Sequence, residues 1–265
     1  MNRFLYSLLL YLLVPLIVLR LLYRSLKNPE YRRRIPERFG FFQGRPEAGG
    51  IWVHAVSVGE AIAAIKLIRA LQAQEPNTPV TVTCGTPTGS EIIQNQLGAA
   101  VFHVYIPYDI PGAVGRFLRK TRPVAGIIME TEIWPNLLHS ASKNGIKLLI
   151  SNMRLSDTSF RRYQKFPGLV ASSLDCVNSI AAQTDEDARR AVALGAATER
   201  VQVVGNLKFE MAGEQADPEQ VEQLKQEFAG QRSVWIAGST HQGEDEILLN
   251  VHEKLLESDP GLLLI

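Results

Sequence analysis

The chain has 265 residues, and its 28 basic against 27 acidic side chains leave a formal net charge of +1. So balanced a charge excludes a general nucleic-acid binder, and the 46% share of hydrophobic residues is that of an ordinary globular protein. The two cysteines, Cys84 and Cys176, lie in apolar stretches, which excludes a disulfide framework and favours buried thiols in a reducing compartment.

The N-terminal segment is predicted to be a membrane anchor over residues 1–24. No charged residue occurs from Phe4 to Leu19, and a helix of that length measures about 24 Å against a hydrocarbon core of about 30 Å. Spanning is therefore marginal even if Arg20 snorkels, and a shallow anchor in the interface remains an alternative. A buried core helix is the third interpretation, disfavoured by the missing amphipathic period. The arginine-rich segment that follows places the rest of the chain in the cytoplasm.

Strands and helices alternate after the glycine pair at residues 49–50, which predicts an α/β fold with a parallel sheet. In such sheets ligands bind at the carboxyl ends of the strands. The predicted strands are 51–56, 80–84, 101–106, 124–129, 147–150, 179–182 and 201–204. The predicted helices are 60–74, 89–97, 110–120, 134–143 and 185–194, and a loop rich in Ser and Arg follows residue 150.

A polar stretch at residues 210–220 predicts a linker between two domains. The first domain is expected over residues 25–209. A second α/β domain begins at residues 221–265, with a helix at 221–228, a strand at 234–237 and a helix at 244–257. The sequence then enters the next predicted strand at 262–265.

Two glutamates follow predicted strands and are candidates for chemistry. Glu60 stands where a strand ends and a helix begins, and a carboxylate there is a general base if it reaches an acceptor hydroxyl. Glu130, with Glu132 close behind it, ends another strand and needs a cation, a sugar hydroxyl or water as its partner. The alternative for all three is a purely electrostatic role at the start of a helix.

Other candidates carry weaker signals. Lys208 follows a strand and a glycine turn, where a lysine can stabilise a phosphate leaving group or simply be solvated. The loops at residues 85–89 and 238–241 precede helices whose free N–H groups favour anions. The acidic run at residues 185–187 matches a metal-binding pattern but is expected at a helix start. His54, His103 and His139 lack metal spacing, so packing or surface positions are expected.

Five motifs in a fixed order make these signals specific. They are residues 54–60 (HAVSVGE), 107–109 (PYD), 130–136 (ETEIWPN), 205–209 (GNLKF) and 238–244 (GSTHQGE). With its apolar N-terminus, the chain resembles the 3-deoxy-D-manno-octulosonic acid (Kdo) transferases over its whole length.

The resemblance implies a GT-B fold, which has two Rossmann-like domains, and transfer of Kdo from CMP-Kdo to the lipid A precursor lipid IVA. It implies inversion at the anomeric centre, no metal or other cofactor, no nucleic-acid partner, and a place at the cytoplasmic face of the inner membrane in contact with membrane lipids. Glu60 is then the general base, and Glu130 and Lys208 stabilise the transition state. The implied substrate-binding residues are Gly238, Ser239, Thr240 and His241.

One departure from the family concerns the second domain. Family members have a complete one, which supplies most contacts to CMP, whereas this sequence contains about one β-α-β unit of it. Two alternatives therefore stay open. One is a catalytically inactive module that binds the membrane surface, and the other is a GT-B transferase that uses a UDP-sugar.

Overall fold

A computed structural model describes residues 2–207 and 218–265 of the chain. The chain divides into two compact units, Met1–Glu210 and Met211–Ile265. Most of the predicted linker, residues 210–217, lies outside the described residues.

The first unit contains eight α-helices and seven strands within the described residues. The helices are α1 (Arg3–Lys27), α2 (Val58–Gln74), α3 (Pro87–Leu97), α4 (Pro111–Thr121), α5 (Pro135–Lys143), α6 (Asp157–Tyr163), α7 (Pro167–Leu174) and α8 (Asp185–Ala193). The strands are β1 (Ile51–Ala55), β2 (Val80–Cys84), β3 (Phe102–Tyr105), β4 (Ala125–Met129), β5 (Lys147–Met153), β6 (Ser179–Ala182) and β7 (Val201–Val203). Short 3₁₀ helices are Pro29–Arg32, Ile35–Phe39, Gly98–Ala100 and Thr198–Arg200.

The seven strands form one parallel sheet in the order β3-β2-β1-β4-β5-β6-β7. The central strands are buried on both faces, with Trp52 and Val53 on β1 and Ile128 on β4 almost wholly inaccessible. That burial explains their continuous apolar runs, because helices cover both faces of such a sheet. The predicted α/β class is confirmed, and β1 and β4 are neighbours at the point where the strand order reverses.

The segment after β5 differs from the predicted loop. β5 continues to Met153, and two short helices, α6 and α7, occupy the stretch assigned to a loop rich in Ser and Arg. Ser156 caps α6 by accepting a hydrogen bond from the Ser159 amide, and a proline starts α7. Helices of 7 and 8 residues are too short for a 3.6-residue period to stand out in the sequence.

The second unit contains α9 (Pro218–Phe228), β8 (Val234–Trp235), α10 (Glu244–Leu256) and β9 (Leu263–Leu264) among the described residues. β8 and β9 pair in parallel, with Val234 opposite Leu263. A helix between two parallel strands is the β-α-β unit that the sequence predicts.

Candidate active site

Three glutamates gather at the carboxyl edge of the sheet in the first unit. Glu60 follows β1, whereas Glu130 and Glu132 follow β4. Because β1 and β4 are paired in parallel, their carboxyl ends lie side by side. Glu132 interacts electrostatically with both Glu60 and Glu130. The structure thus brings the two predicted catalytic glutamates together and adds a third.

Glu60 is 6% exposed and is held in a fixed orientation by the start of α2. Its Oε2 accepts a 2.8 Å hydrogen bond from the Val56 amide, and its Oε1 accepts a 3.2 Å bond from the Ser57 amide. The Ser57 hydroxyl in turn accepts from the Glu60 amide, which completes a capping box. Glu60 therefore does have the helix-terminal role that was its alternative interpretation. Each carboxylate oxygen keeps a second lone pair, so this role does not exclude proton transfer.

Glu130 occupies an uncommon backbone conformation. Its φ is 56°, in the left-handed region, and its amide donates a 2.8 Å bond to the Ser151 carbonyl on β5. A side chain other than Gly, Asn or Asp rarely adopts this region, and the conformation costs on the order of 1–3 kcal/mol. Strain of this kind clusters at functional sites, where it aims a side chain that regular strand geometry would point elsewhere.

Glu132 is half-buried, and its Oε2 accepts a 2.6 Å hydrogen bond from the indole Nε1 of Trp134. The pKa of the Glu132 carboxyl is raised to about 7, mainly by burial; the Trp134 bond lowers it, and the neighbouring Glu60 and Glu130 raise it. A carboxyl group with a pKa near 7 can donate or accept a proton at neutral pH. Glu132 occurs in the ETEIWPN motif, but its spacing alone did not distinguish it from Glu130.

Trp134 also covers His54 of β1, with ring centroids 5.5 Å apart in an edge-to-face arrangement. His54 is fully buried, and its Nδ1 lies 3.0 Å from the Thr83 hydroxyl. Burial lowers the pKa of His54 to about 4, so the ring is neutral at pH 7. His54 thus packs beneath the carboxylates, as expected for a packing residue.

The other two histidines also have structural contacts. His103 Nδ1 lies 2.9 Å from the Val82 carbonyl, and burial lowers the pKa of His103 to about 4. His139 Nδ1 lies 2.8 Å from the Pro135 carbonyl within the first turn of α5.

The remaining predicted site residues lie outside the described part of the first unit. Lys208 lies outside the described residues. Gly238, Ser239, Thr240 and His241 belong to the second unit, where all four are exposed and precede α10. The His241 amide donates a 2.8 Å bond to Glu244 Oε2, so this loop is closed by a local cap.

The acidic run at residues 185–187 serves the start of α8. Asp187 is buried, and its Oδ1 accepts a 2.7 Å bond from the Leu155 amide while its Oδ2 pairs with the Thr184 hydroxyl. Within residues 2–207 and 218–265, no group of three or more His, Cys, Asp or Glu side chains has the arrangement of a metal site.

Another buried carboxylate, Asp109, which the sequence reasoning did not select, organises the neighbouring loop. The two oxygens of Asp109 accept hydrogen bonds from the Asn136 and Leu137 amides at 3.0 and 2.7 Å, so Asp109 caps the start of α5. Burial raises the pKa of Asp109 to about 7, against the lowering effects of the Asn136 amide bond, the Tyr6 side chain on α1 and the Leu137 amide bond. The available signal was the PYD motif, but its aspartate directly precedes the predicted helix 110–120, so the sequence did not indicate that it caps α5.

The sheet order and the edge carboxylates define the Rossmann-like first domain of a GT-B protein. Two solved structures share this fold with TM-scores of 0.54: the UDP-GlcNAc 2-epimerase from Neisseria meningitidis and a putative UDP-N-acetylglucosamine 2-epimerase from Listeria monocytogenes. The first is 16% identical and covers 81% of this chain and 64% of its own, and the second is 14% identical and covers 82% and 62%. At such identities the likeness shows the fold alone.

The family is shown by sequence. Residues 33–211 match the profile of the family described as 3-deoxy-D-manno-octulosonic-acid transferase (kdotransferase), and the chain belongs to that family. A 3-deoxy-D-manno-octulosonic acid transferase from Haemophilus influenzae is 40% identical over 100% of this chain and 62% of its own length. A probable mitochondrial one from Arabidopsis thaliana is 39% identical over 98% and 60%. The chain thus spans about three fifths of the length of these relatives.

Proposed function

We propose that the whole protein is a glycosyltransferase that moves Kdo from CMP-Kdo to the lipid A precursor lipid IVA, with inversion and without a metal ion. The observation that carries the proposal is the cluster of Glu60, Glu130 and Glu132 at the carboxyl edge of the sheet, in a chain that belongs to the Kdo transferase family. The activity, the donor, the acceptor and a role in lipopolysaccharide biosynthesis are all parts of this proposal.

Glu60 is the proposed general base for the acceptor hydroxyl. A hydroxyl is a poor nucleophile until its proton is removed, and a positioned base contributes about 10²–10⁴-fold in rate. The hydrogen bonds from the Val56 and Ser57 amides fix the Glu60 carboxylate before substrate binds. This reduces the reorganisation that the reaction requires.

Glu130 and Lys208 are the proposed stabilisers of the transition state. Negative charge grows on the leaving phosphate while positive charge grows at the anomeric carbon, so a cation and a carboxylate act on opposite partners. Glu132, held by Trp134, is a third carboxyl group that can share or relay a proton with Glu60. In the second unit, Gly238, Ser239, Thr240 and His241 are the proposed contacts to CMP-Kdo.

The protein is proposed to act at the cytoplasmic face of the inner membrane. Among the described residues, α1 is the one helix long and apolar enough to cross a membrane, with a mean hydropathy of 2.3 over its most apolar window. Arg24 and Lys27 lie in its last turn, with Arg32, Arg33 and Arg34 soon after. Such an excess of positive charge favours the cytoplasmic side.

The deciding experiment is turnover of CMP-Kdo and lipid IVA by the complete enzyme, meaning this chain with a complete second domain. We expect Kdo-lipid IVA with inverted configuration at the anomeric carbon, formed in the presence of EDTA and inhibited competitively by CMP. Competition by UDP instead would replace the proposed donor with a UDP-sugar. No transfer from either donor would favour a membrane-binding module without catalytic activity.

A further inference from the structure

One face of α1 contacts the first unit along the whole helix. The half-buried and buried positions recur every three or four residues, which places them on a single stripe. They are Tyr6, Ser7, Leu10, Leu13, Val14, Ile17, Val18, Leu21 and Ser25. The stripe runs from the first turn to the last, so the helix lies along the folded unit instead of projecting from it.

Polar contacts fix the first half of α1. The Ser7 hydroxyl donates a 2.9 Å hydrogen bond to Asn136 Oδ1, and the Tyr6 side chain interacts electrostatically with the Asp109 carboxylate. The Gly112 amide donates a longer, 3.4 Å bond to the Tyr11 hydroxyl. All these partners belong to the starts of α4 and α5 or the loop between β3 and α4.

The second half of α1 contacts the same unit. Leu21 and Ser25 are 6% and 7% exposed. The Arg24 guanidinium lies 5.1 Å from the centre of the Tyr31 ring in the following 3₁₀ helix. Arg20 and Arg24 also interact electrostatically with Tyr108, beside Asp109. The two ends of α1 thus contact the same unit.

The opposite face of α1 is apolar and exposed. Its large exposed side chains are Phe4, Leu5, Leu8, Leu9, Tyr11, Leu12, Leu16, Leu19, Leu22, Tyr23 and Leu26. A contiguous apolar face of this size is not stable in water and marks a membrane or protein contact. Charged side chains stand at the ends of this face, with Arg3 at its start and Arg20, Arg24 and Lys27 at its end.

These contacts are incompatible with a transmembrane arrangement. A 25-residue helix is about 38 Å long, and a hydrocarbon core measures about 30 Å. If α1 crossed the bilayer, Tyr6 and Ser7 would lie at the far side from the folded unit. The hydrogen bond to Asn136 and the interaction of Tyr6 with the buried Asp109 carboxyl would then be lost.

We propose that α1 is an in-plane anchor, with one face on the first unit and the other in the headgroup and upper acyl region of an anionic phospholipid bilayer. The arginines and the lysine at the ends of α1 then contact lipid phosphates. The anionic surface attracts each of these basic side chains. This inference depends on the membrane attachment in the proposed function but not on its chemistry. It sets the lipid surface beside the start of α5, where Ser7 of α1 contacts Asn136.

Topology is tested in membranes from cells that express the full chain, in a Cys176→Ser background. Asn2→Cys on α1 is compared with Glu199→Cys on the exposed surface of the first unit, in inverted inner-membrane vesicles. We expect a membrane-impermeant maleimide to label both without detergent. Labelling of Glu199→Cys alone, with Asn2→Cys reached only after detergent, shows a spanning helix and overturns the proposal.

Depth provides a second readout, because Leu5, Leu12 and Leu19 lie on the same outward face. A bimane label is attached at each position in turn, and the full chain is bound to phosphatidylglycerol–phosphatidylethanolamine vesicles. The bimane fluorescence is then quenched by lipids that carry a spin label at either a shallow or a deep position. We expect the same ratio of shallow to deep quenching at all three positions. A spanning helix instead places the middle label about 10 Å deeper than the others.

Flotation separates the failures. If the full chain does not float with these vesicles but forms a dimer that buries α1, the membrane attachment itself is wrong, and the in-plane anchor with it. If the chain floats and labelling or depth shows a span, only the in-plane geometry is wrong. Neither outcome bears on CMP-Kdo turnover.

Discussion

The indole of Trp134 donates a 2.6 Å hydrogen bond to Glu132, two residues before it, while the same ring covers buried His54. One oxygen of Glu132 is therefore hydrogen-bonded in a half-buried site, beside two other glutamates. Burial and those neighbours raise the Glu132 pKa to about 7, in spite of the donated bond. Glu132 therefore changes protonation near neutral pH.

The first prediction concerns Glu132→Gln. The free energy of unfolding of this variant, measured relative to that of the wild type, should increase as pH rises from 5 to 8. The folded state binds a proton at Glu132 up to about pH 7, whereas an unfolded glutamate releases it near pH 4.5. The free energy of unfolding of the wild type therefore falls as pH rises through this window. The Gln variant has no carboxyl proton to lose at this position, so its stability does not fall for this reason. Urea unfolding at pH 5, 6, 7 and 8 measures the difference.

The comparison must be between variants, because other groups act in the same range. Asp109, with its pKa raised to about 7, acts in the same direction as Glu132. The pKa values of His54 and His103 are lowered from 6.5 to about 4. These two residues therefore reduce the stability of the protein as pH falls below 6.5. Glu91→Gln, at an exposed position on α3, is the control for a general charge effect. A Glu132→Gln difference that does not change with pH would contradict the prediction.

The second prediction concerns Glu60. In the complete enzyme, Glu60→Gln should lower kcat at least about a hundredfold, because glutamine cannot accept the proton. Glutamine also fits a capping box, so α2 should remain formed. Glu60→Asp should retain part of the rate. Single-turnover rates and thermal midpoints are measured on the same proteins.

A matched variant separates capping from catalysis at Glu60. Thr184→Ala removes the N-cap of α8, which should cost about 1 kcal/mol of stability with nearly normal turnover. A Glu60→Gln protein that behaves in this way, destabilised but active, would leave Glu60 as a helix-terminal charge only.

The third prediction uses the left-handed backbone of Glu130. Glu130→Gly should be more stable than Glu130→Ala by about 1 kcal/mol, because glycine adopts a φ of 56° without strain. Both variants should lose kcat, since both lack the carboxylate. Equal urea midpoints would show that the backbone is not strained, and normal turnover in the glycine variant would remove Glu130 from the proposed mechanism.

The fourth prediction is that Lys208→Ala lowers kcat more than it raises KM. The leaving phosphate gains charge only as the bond breaks, so a cation beside it acts mainly on the transition state. Steady-state kinetics of the complete enzyme decide this. A change in KM alone would make Lys208 a substrate contact.

The fifth prediction is that deletion of residues 1–24 releases much of the protein from vesicles but leaves attachment that salt removes. The arginines at positions 32–34 remain, and each contributes on the order of 1 kcal/mol near an anionic surface. Flotation at low and high salt measures the effect. Full flotation of the deleted protein at high salt would show that α1 is not the anchor.

The sequence predicted the sheet well because its strands are buried runs separated by glycine, proline and capping residues. It selected Glu60 and Glu130 because both follow strands, and ligands of parallel sheets bind at the carboxyl ends of the strands. It missed Glu132 because the raised pKa arises from burial and from charges that approach only in the fold.

The sequence also could not predict which face of α1 packs on the first unit. Both of its faces are apolar, so no hydrophobic period separates the docked stripe from the outward face. The contacts that do separate them, Tyr6 with Asp109 and Ser7 with Asn136, join residues more than a hundred positions apart. Pairings of that range leave no pattern in a local window.

The distance along the chain between Ser7 and Asn136 also sets an order of events during synthesis. The two residues are separated by 129 positions, which a ribosome covers in roughly 6–26 s at about 5–20 residues per second. During that time α1 is already made, whereas the surface that receives its inner face does not yet exist. With α1 as the proposed in-plane anchor, the bilayer is the first apolar surface available to the nascent helix, and the first unit then folds onto a helix that already rests there.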